Sequence, residues 1–124
     1  MRRYCFSYDV QPDSEWESNA LKYELTKVLI VAGAQNLQNP VATTITFDDM
    51  NEEENKVRIA HWDDAINKKF EGEIYYYLCV VARNTKDKIF DSSNAHHELN
   101  SNFQEMVKKI RRELLSKKFK KKSN

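Results

Sequence analysis

Four short stretches of the chain have the pattern of apolar and polar positions that predicts a β-strand. Residues 4–10 place aromatic side chains at every second position, and a period of two is typical of a strand with one buried face. Residues 41–47 alternate in the same way with β-branched side chains, whereas residues 74–82 (IYYYLCVVA) form the most apolar run. A weaker strand is predicted over residues 34–38, followed by an Asn39-Pro40 turn, because proline keeps the residue before it out of the helical conformation.

Two segments between these strands carry apolar residues at the three- and four-residue spacing of an amphipathic helix. Ser14 and Glu17 match a capping box at the start of the first helix, and Gly33 fits the left-handed position just past its end. The second helix is expected to end at Gly72 and to have glutamates 52–54 in its first turn, where they suit the positive end of the helix dipole. Its candidate caps are Asp48, Asp49 and Asn51.

A third helix is predicted towards the end of the chain, after the cap candidates Ser92, Ser93 and Asn94. Its apolar stripe keeps helical spacing and consists of Leu99, Phe103, Met106, Val107, Ile110 and Leu114. Residues 88–90 ahead of this helix are predicted to form a short edge strand or a loop anchor. The chain is therefore expected to divide into an α+β domain over residues 1–91 and an amphipathic, basic C-terminal helix and tail over residues 92–124.

The predicted order β-α-β-β-α-β is that of the split βαβ, or ferredoxin-like, fold, in which helices cover one face of an antiparallel sheet. We therefore predict an α+β ferredoxin-like sandwich with an added basic C-terminal helix. The side chains expected beneath the helices are Phe6, Tyr8, Ile45, Leu78 and Val80. The other face, called the open face, carries Cys5, Ser7, Asp9, Thr44, Thr46, Tyr75, Tyr77 and Val81. The open face is apolar enough that we expect either the last helix or a second copy of the protein to cover it.

The charge of the chain is divided unevenly along its length. The 124 residues are 40% apolar and 31% charged, a composition typical of one globular domain, and the net charge is +1. The remainder of the chain is acidic because residues 108–122 hold nine of the 20 basic residues and one glutamate. The nine basic residues are Lys108, Lys109, Arg111, Arg112, Lys117, Lys118, Lys120, Lys121 and Lys122. They are predicted to bind nucleic-acid phosphates or, alternatively, to face the acidic body of their own or a partner chain.

Both cysteines, Cys5 and Cys79, fall in apolar strand patterns. We predict buried free thiols there, in preference to a disulfide or a metal pair, because free cysteine behaves as a small apolar side chain. Free thiols fit a reducing compartment, and no apolar run approaches the roughly 20 residues that span a bilayer. We therefore expect a cytoplasmic protein without membrane contact.

A resemblance to a known family covers roughly residues 3–82. The first strand has the form Y-x-F-x-Y-D-V and ends in Tyr8 and Asp9; a capped helix, an Asn-Pro hairpin, a second helix and an apolar fourth strand follow. This arrangement resembles the small CRISPR-associated ferredoxin-like nucleases (Cas-two-like proteins) and the virulence-associated VapD-like proteins. The resemblance implies a symmetric homodimer and, in the nucleases, a metal-binding Asp at the dimer interface, a position that Asp9 matches. The acidic segment 15–19 (EWESN) and the long basic helix depart from the family pattern.

Three functions are compatible with these features. In the first, a non-catalytic homodimeric module binds nucleic acid or a protein partner through its basic helix, and Tyr75 and Tyr77 stack on bases. In the second, paired Asp9 carboxylates of a dimer hold Mg²⁺ or Mn²⁺, and the protein is a metal-dependent nuclease. In the third, an accessory or inhibitor protein acts through its acidic body. We favour a non-catalytic protein without a cofactor, because an aspartate at a strand end commonly helps to turn the chain.

Overall fold

The elements of the chain follow the order predicted from its sequence. The computed structural model describes residues 1–83, 94 and 97–122, with side chains as far as residue 117. Its elements are β1 (Arg2–Val10), α1 (Ser18–Val31), β2 (Gln35–Val41), β3 (Thr44–Asp49), α2 (Asn55–Phe70), β4 (Ile74–Ala82) and α3 (His97–Lys122). The predicted α+β class is confirmed. The strand or loop anchor predicted at residues 88–90 and the predicted caps Ser92 and Ser93 lie outside the described residues.

The described strands pair in an antiparallel sheet with the order β2-β3-β1-β4. Successive side chains of a strand point to opposite faces, so one set of β1 side chains meets the helices and the other set does not. Tyr4, Phe6 and Tyr8 are buried beneath the helices, whereas Tyr75 and Tyr77 of β4 are 60% and 68% exposed. The other predicted core side chains, Ile45, Leu78 and Val80, join or pack against the same core. The predicted division between the buried face and the open face is confirmed.

The hairpin between β2 and β3 turns at residues 42–43, so the predicted Asn39-Pro40 turn is wrong. β2 continues through Pro40 because it is an edge strand whose pairing with β3 is irregular, and proline is tolerated at edges and bulges. The side chain of the buried Asn39 holds the turn, since its Nδ2 donates to the carbonyl oxygens of Val41 and Thr44 at 2.6 and 2.8 Å. Asn39, which was predicted to lie in the turn, thus belongs to β2, and its side chain stabilises the turn that follows.

The predicted capping box of α1 is wrong, whereas the predicted glycine positions are confirmed. α1 begins at Ser18, and the carboxylate of its N-cap Glu17 accepts hydrogen bonds from two amides of the first turn. The Ser14 hydroxyl donates instead to a glutamate next to β4, at 2.6 Å. Gly33 and Gly72 follow the ends of α1 and α2 with φ of +110° and +81°, a region in which glycine is unstrained.

The predicted caps of α2 are also wrong, since the helix begins at Asn55 and its N-cap is Glu54. Asp48 and Asp49 are instead the last residues of β3, and Asn51 lies in the loop that follows. The glutamates predicted for the first turn precede the helix, and that turn contains no acidic residue. Asp48 and Asp49 have side chains typical of a helix cap, but in the fold they are still paired with β1 as the last residues of β3.

Asp48 and Asp49 make two ion pairs of different depth. Asp49 Oδ2 accepts from Arg58 Nε at 2.8 Å and from Trp62 Nε1 at 3.0 Å, and all three side chains are buried. Asp48 points to the other face of the sheet and accepts from Arg3 Nε and Nη2 at 2.6 and 3.0 Å, but about a third of the Arg3 side chain is exposed. The first pair therefore belongs to the core, whereas the second lies on the open face of the sheet.

The last helix packs on the helical side of the sheet. α3 contacts β2 and α1, and its Phe103 and Val107 belong to the same hydrophobic cluster as the buried side chains of β1 and α2. Ile110 is also buried, so the predicted apolar stripe is confirmed. The last helix was one of the two covers expected for the open face. In the described residues α3 packs on the helical side instead and does not cover the open face.

Side chains of α3 also satisfy the outer backbone of the edge strand β2. Asn100 Oδ1 accepts from the Asn39 amide at 2.9 Å, and Gln104 Nε2 donates to the Leu37 carbonyl oxygen at 2.8 Å. Unpaired groups on an edge strand are a template for pairing with another chain. α3 thus closes one edge of the sheet, while β4 forms the other edge.

Candidate nucleic-acid interface

The exposed side of α3 carries a set of basic side chains. Because Phe103, Val107 and Ile110 are buried on one side of α3, helical positions on the other side point away from the body of the protein. Five exposed basic residues of α3, here called the basic face, are Lys108, Lys109, Arg111, Arg112 and Lys117. Lys117 lies on the same side of the helix as Ile110, two turns later, and is exposed as well. Four further predicted residues belong to the same helix, but their side chains lie outside the described residues: Lys118, Lys120, Lys121 and Lys122.

The basic face is not neutralised by the acidic part of the chain. Lys108 Nζ lies 3.3 Å from Glu105, one turn earlier in the same helix. Lys109 Nζ lies 5.9 Å from the centre of the Tyr23 ring. Among the side chains that the structure describes, no basic-face residue forms an ion pair with the sheet, α1 or α2. These five residues therefore do not form the alternative arrangement, in which the basic helix pairs with the acidic body of its own chain.

One contact fixes the basic face relative to α1. Glu113, the one acid in residues 108–122, accepts a hydrogen bond from the Tyr23 hydroxyl. This hydrogen bond to a carboxylate raises the pKa of Tyr23 to about 12, so the hydroxyl remains protonated and donates at neutral pH. Together with the buried stripe, the contact holds α3 in one orientation against α1.

Tyr75 and Tyr77, the predicted stacking residues, lie on the open face of the sheet. Asp9 is opposite Tyr75 and Ser7 is opposite Tyr77 in the pairing of β1 with β4. The Ser7 hydroxyl lies 3.0 Å from the hydroxyl of Thr44 on β3, and all five residues border one shallow depression. Exposed tyrosine rings on a sheet can stack on bases, and the hydroxyls beside them can form hydrogen bonds.

The two predicted parts of the nucleic-acid site lie on different sides of one chain. The basic face belongs to a helix beside β2 on the helical side, whereas Tyr75 and Tyr77 belong to β4 at the opposite edge and on the open face. Three strand spacings, about 14 Å, separate these edges, and the thickness of the sheet adds to this separation. A single nucleotide therefore cannot contact both parts of the same chain.

Asp9, the predicted metal ligand, lies at the exposed end of β1. Within the described residues, no three His, Cys, Asp or Glu side chains come close enough together to hold a metal ion. Divalent cations such as Mg²⁺ and Mn²⁺ are held by several oxygen ligands. The nuclease alternative therefore requires that a second copy of the protein, or the substrate itself, complete the site around Asp9.

Sequence reasoning missed a relation between the two cysteines. Cys5 and Cys79 are free thiols of intermediate burial, and they lie directly opposite each other in the pairing of β1 with β4. The two residues are 74 positions apart in the chain. Only the register of the strands brings them together, so a sequence pattern could have found them only after the sheet order was known.

Comparison with known proteins finds no matching family model, no matching curated protein and no matching solved structure. Among the described residues, no helix is long and apolar enough to cross a membrane. The function therefore has to be inferred from the basic face, the open face and Asp9.

Proposed function

We propose that the protein is a non-catalytic module that binds nucleic acid through the basic face of α3. The observation that carries this proposal is the exposure of five basic side chains on one helix, of which only Lys108 is ion-paired among the described residues. Basic side chains that contact nucleic-acid phosphates displace the cations condensed on those phosphates, and the release of these counterions favours association. The helix is already packed against β2 and α1, so it need not fold on binding and little ordering entropy is lost.

We also infer that the sheet and its two inner helices form a ferredoxin-like unit. The chain contains two βαβ units, β1-α1-β2 and β3-α2-β4. In the order β2-β3-β1-β4, a strand of each unit lies between the two strands of the other, which is the interleaving of a split βαβ fold. This arrangement leaves one face of the sheet without helices.

The proposal predicts that reversing two charges of the basic face weakens binding far more than reversing two charges elsewhere. Arg111→Glu with Arg112→Glu is expected to lower the affinity for a short RNA or DNA strand at least about tenfold and to reduce its salt dependence, because phosphate contacts are lost. Lys56→Glu with Lys68→Glu is the matched control, since it changes the net charge equally at exposed positions of α2. Fluorescence anisotropy over a salt series measures both quantities.

An equal loss of affinity in the two double variants would show that only net charge matters and would contradict the proposal. Wild-type protein that binds none of the single- or double-stranded RNA and DNA probes would also contradict it. That second result would favour the alternative in which an accessory or inhibitor protein acts through its acidic body. The exposed glutamates 52–54 would then be the first residues to neutralise in a search for a protein partner.

We further propose that the open face supports a homodimer. Tyr75, Tyr77 and Val81 are each about half exposed or more, and no helix of the described chain lies over them. Large exposed apolar groups that cluster on one sheet face are typical of an interaction surface. Two open faces that meet would also bring two copies of Asp9 nearer to each other, which is the arrangement that the nuclease alternative needs.

The non-catalytic proposal predicts that the protein leaves RNA and DNA intact in the presence of Mg²⁺ or Mn²⁺. Asp9→Ala is expected to bind the same probes with unchanged affinity, because Asp9 lies away from the basic face. A gel assay of cleavage, with light scattering on the same samples, measures activity and oligomeric state together. Cleavage by a wild-type dimer that disappears in Asp9→Ala would contradict the proposal and favour a nuclease with paired carboxylates.

A further inference from the structure

Cys5 of β1 and Cys79 of β4 face each other on the open face of the sheet. They are directly opposite in the strand register, and opposite residues of an antiparallel pair project to the same face. The Gln11 amide donates to the Glu73 carbonyl oxygen at 2.9 Å, which marks these two as a hydrogen-bonded pair. Hydrogen-bonded and non-hydrogen-bonded pairs alternate along an antiparallel ladder. Cys5 lies six residues from Gln11, and Cys79 lies six residues from Glu73. Because six is an even number, Cys5 and Cys79 also form a hydrogen-bonded pair.

The spacing of such a pair admits a disulfide under strain. The Cα atoms of a hydrogen-bonded antiparallel pair are about 5.5 Å apart, which is within the range of about 4.4–6.8 Å that disulfides span. The Cβ atoms of opposite residues are about 4.5–5.5 Å apart, compared with about 3.5–4.5 Å in a disulfide, so closure draws β1 and β4 together and gives a strained, readily reduced bond. Burial raises the pKa of the Cys5 thiol, and the neighbouring Cys79 raises it further, as expected for sulfur atoms that lie close together. Both thiols are of intermediate burial in the single chain, so a small oxidant can reach them while no second copy covers the open face.

We propose that Cys5 and Cys79 form a redox pair that closes to a reversible disulfide and locks the edge strand β4 onto β1. β4 is held by β1 alone among the described strands, so a covalent link at this point secures the edge of the sheet. The link joins residues 74 positions apart and therefore restricts the unfolded chain strongly. This proposal is independent of nucleic-acid binding, because the two thiols and the basic face lie on different sides of the sheet.

The closing reaction requires an oxidant, for which a low-molecular-weight disulfide such as glutathione disulfide is sufficient. One cysteine, as its thiolate, attacks a sulfur atom of glutathione disulfide; a protein–glutathione disulfide forms and one glutathione thiolate leaves. The other cysteine, also as its thiolate, attacks the protein sulfur of this mixed disulfide, and the second glutathione thiolate leaves. The two thiolates released take up the two protons lost by the protein, and two electrons pass from the protein dithiol to glutathione disulfide.

Treatment of the full chain with glutathione disulfide, followed by mass spectrometry, tests the proposal. The wild-type chain is expected to lose both free thiols together, with a mass decrease of about 2 Da, to remain a single chain on a non-reducing gel, and to recover both thiols with dithiothreitol. Its thermal unfolding midpoint is expected to rise by about 5 °C on closure. Cys5→Ser and Cys79→Ser are the matched controls, and each is expected to retain one glutathione because no second thiol can displace it.

Three results would overturn the proposal. The first is a wild-type chain that retains one or two bound glutathiones. The second is a chain whose thiols stay unmodified, and the third is a chain that forms disulfide-linked dimers instead of an intramolecular disulfide. An unfolding midpoint that does not rise on closure would overturn the locking of β4. The wild-type spectrum decides the question by itself if either serine variant fails to fold.

Discussion

Replacing Asp49 with alanine is expected to lower the free energy of unfolding by about 3–5 kcal/mol, which is the usual cost of removing one partner from a buried ion pair. Arg58 would keep its charge in a site where it is 9% exposed, without the carboxylate that now lies 2.8 Å from its Nε. The indole N–H of the fully buried Trp62 would lose its acceptor as well. Urea denaturation followed by tryptophan fluorescence measures the loss.

Asp48→Ala is the matched control for this change. Asp48 is equally buried, but its partner Arg3 is partly exposed and can be hydrated when the carboxylate is removed. We therefore expect a loss of only about 1–2 kcal/mol. An equal loss in the two variants would contradict the distinction between an ion pair in the core and an ion pair on the open face.

The same measurements across pH test the charge of Asp49. Burial by itself raises the pKa of Asp49, but hydrogen bonds from Arg58 and Trp62 outweigh burial and hold that pKa below its usual value. A carboxyl with a lowered folded-state pKa stabilises the protein fully above about pH 5, and this contribution is lost as the pH falls through the folded-state pKa. The difference between the wild type and Asp49→Ala is therefore expected to shrink in acid. A difference that stays constant down to about pH 2 would contradict this account.

Replacing Phe103 with alanine is expected to lower the free energy of unfolding by about 3–5 kcal/mol, because a large side chain leaves a cavity in a packed core. Phe103 is 2% exposed and belongs to the same cluster as the side chains beneath the sheet. The change removes no charge, so it separates the packing of α3 from its basic face. Urea denaturation again measures the loss.

Leu115→Ala provides the control on the same helix. Leu115 is 63% exposed, and its truncation is expected to change the free energy of unfolding by no more than about 0.5 kcal/mol. A loss below about 1 kcal/mol for Phe103→Ala would show that α3 is not docked on the sheet. The orientation proposed for the basic face would then lack its structural support.

Much of the secondary structure could be predicted because local patterns and tertiary packing agree. The strand at residues 74–82 was predicted with its observed bounds, and the apolar stripe that includes Phe103 and Val107 is the side of α3 that packs. The predictions that failed concern residues with two competing uses. Asp49 has the side chain of a helix cap, but in the fold it meets Arg58, and this buried pair outweighs the local signal.

The candidate site could be predicted in its parts but not in their arrangement. The basic residues of α3 and the two exposed tyrosines were both identifiable from charge runs and from alternation along a strand. Their placement at opposite edges of the sheet depends on the strand order and on the side to which α3 returns. No local pattern encodes that choice, because it depends on contacts between residues that are far apart in the chain.

The order and type of the elements, the apolar side of each, and the concentration of positive charge in the last helix can all be predicted from the sequence alone. Periodicity reveals these features because side-chain direction repeats every two residues in a strand and about every 3.6 in a helix. Three further features follow from the packed fold and from no local pattern: α3 closes the β2 edge, α3 leaves the open face uncovered, and Cys5 lies opposite Cys79. The physical reason is that register and strand order follow from the joint burial of side chains from all the elements, which no single segment can specify.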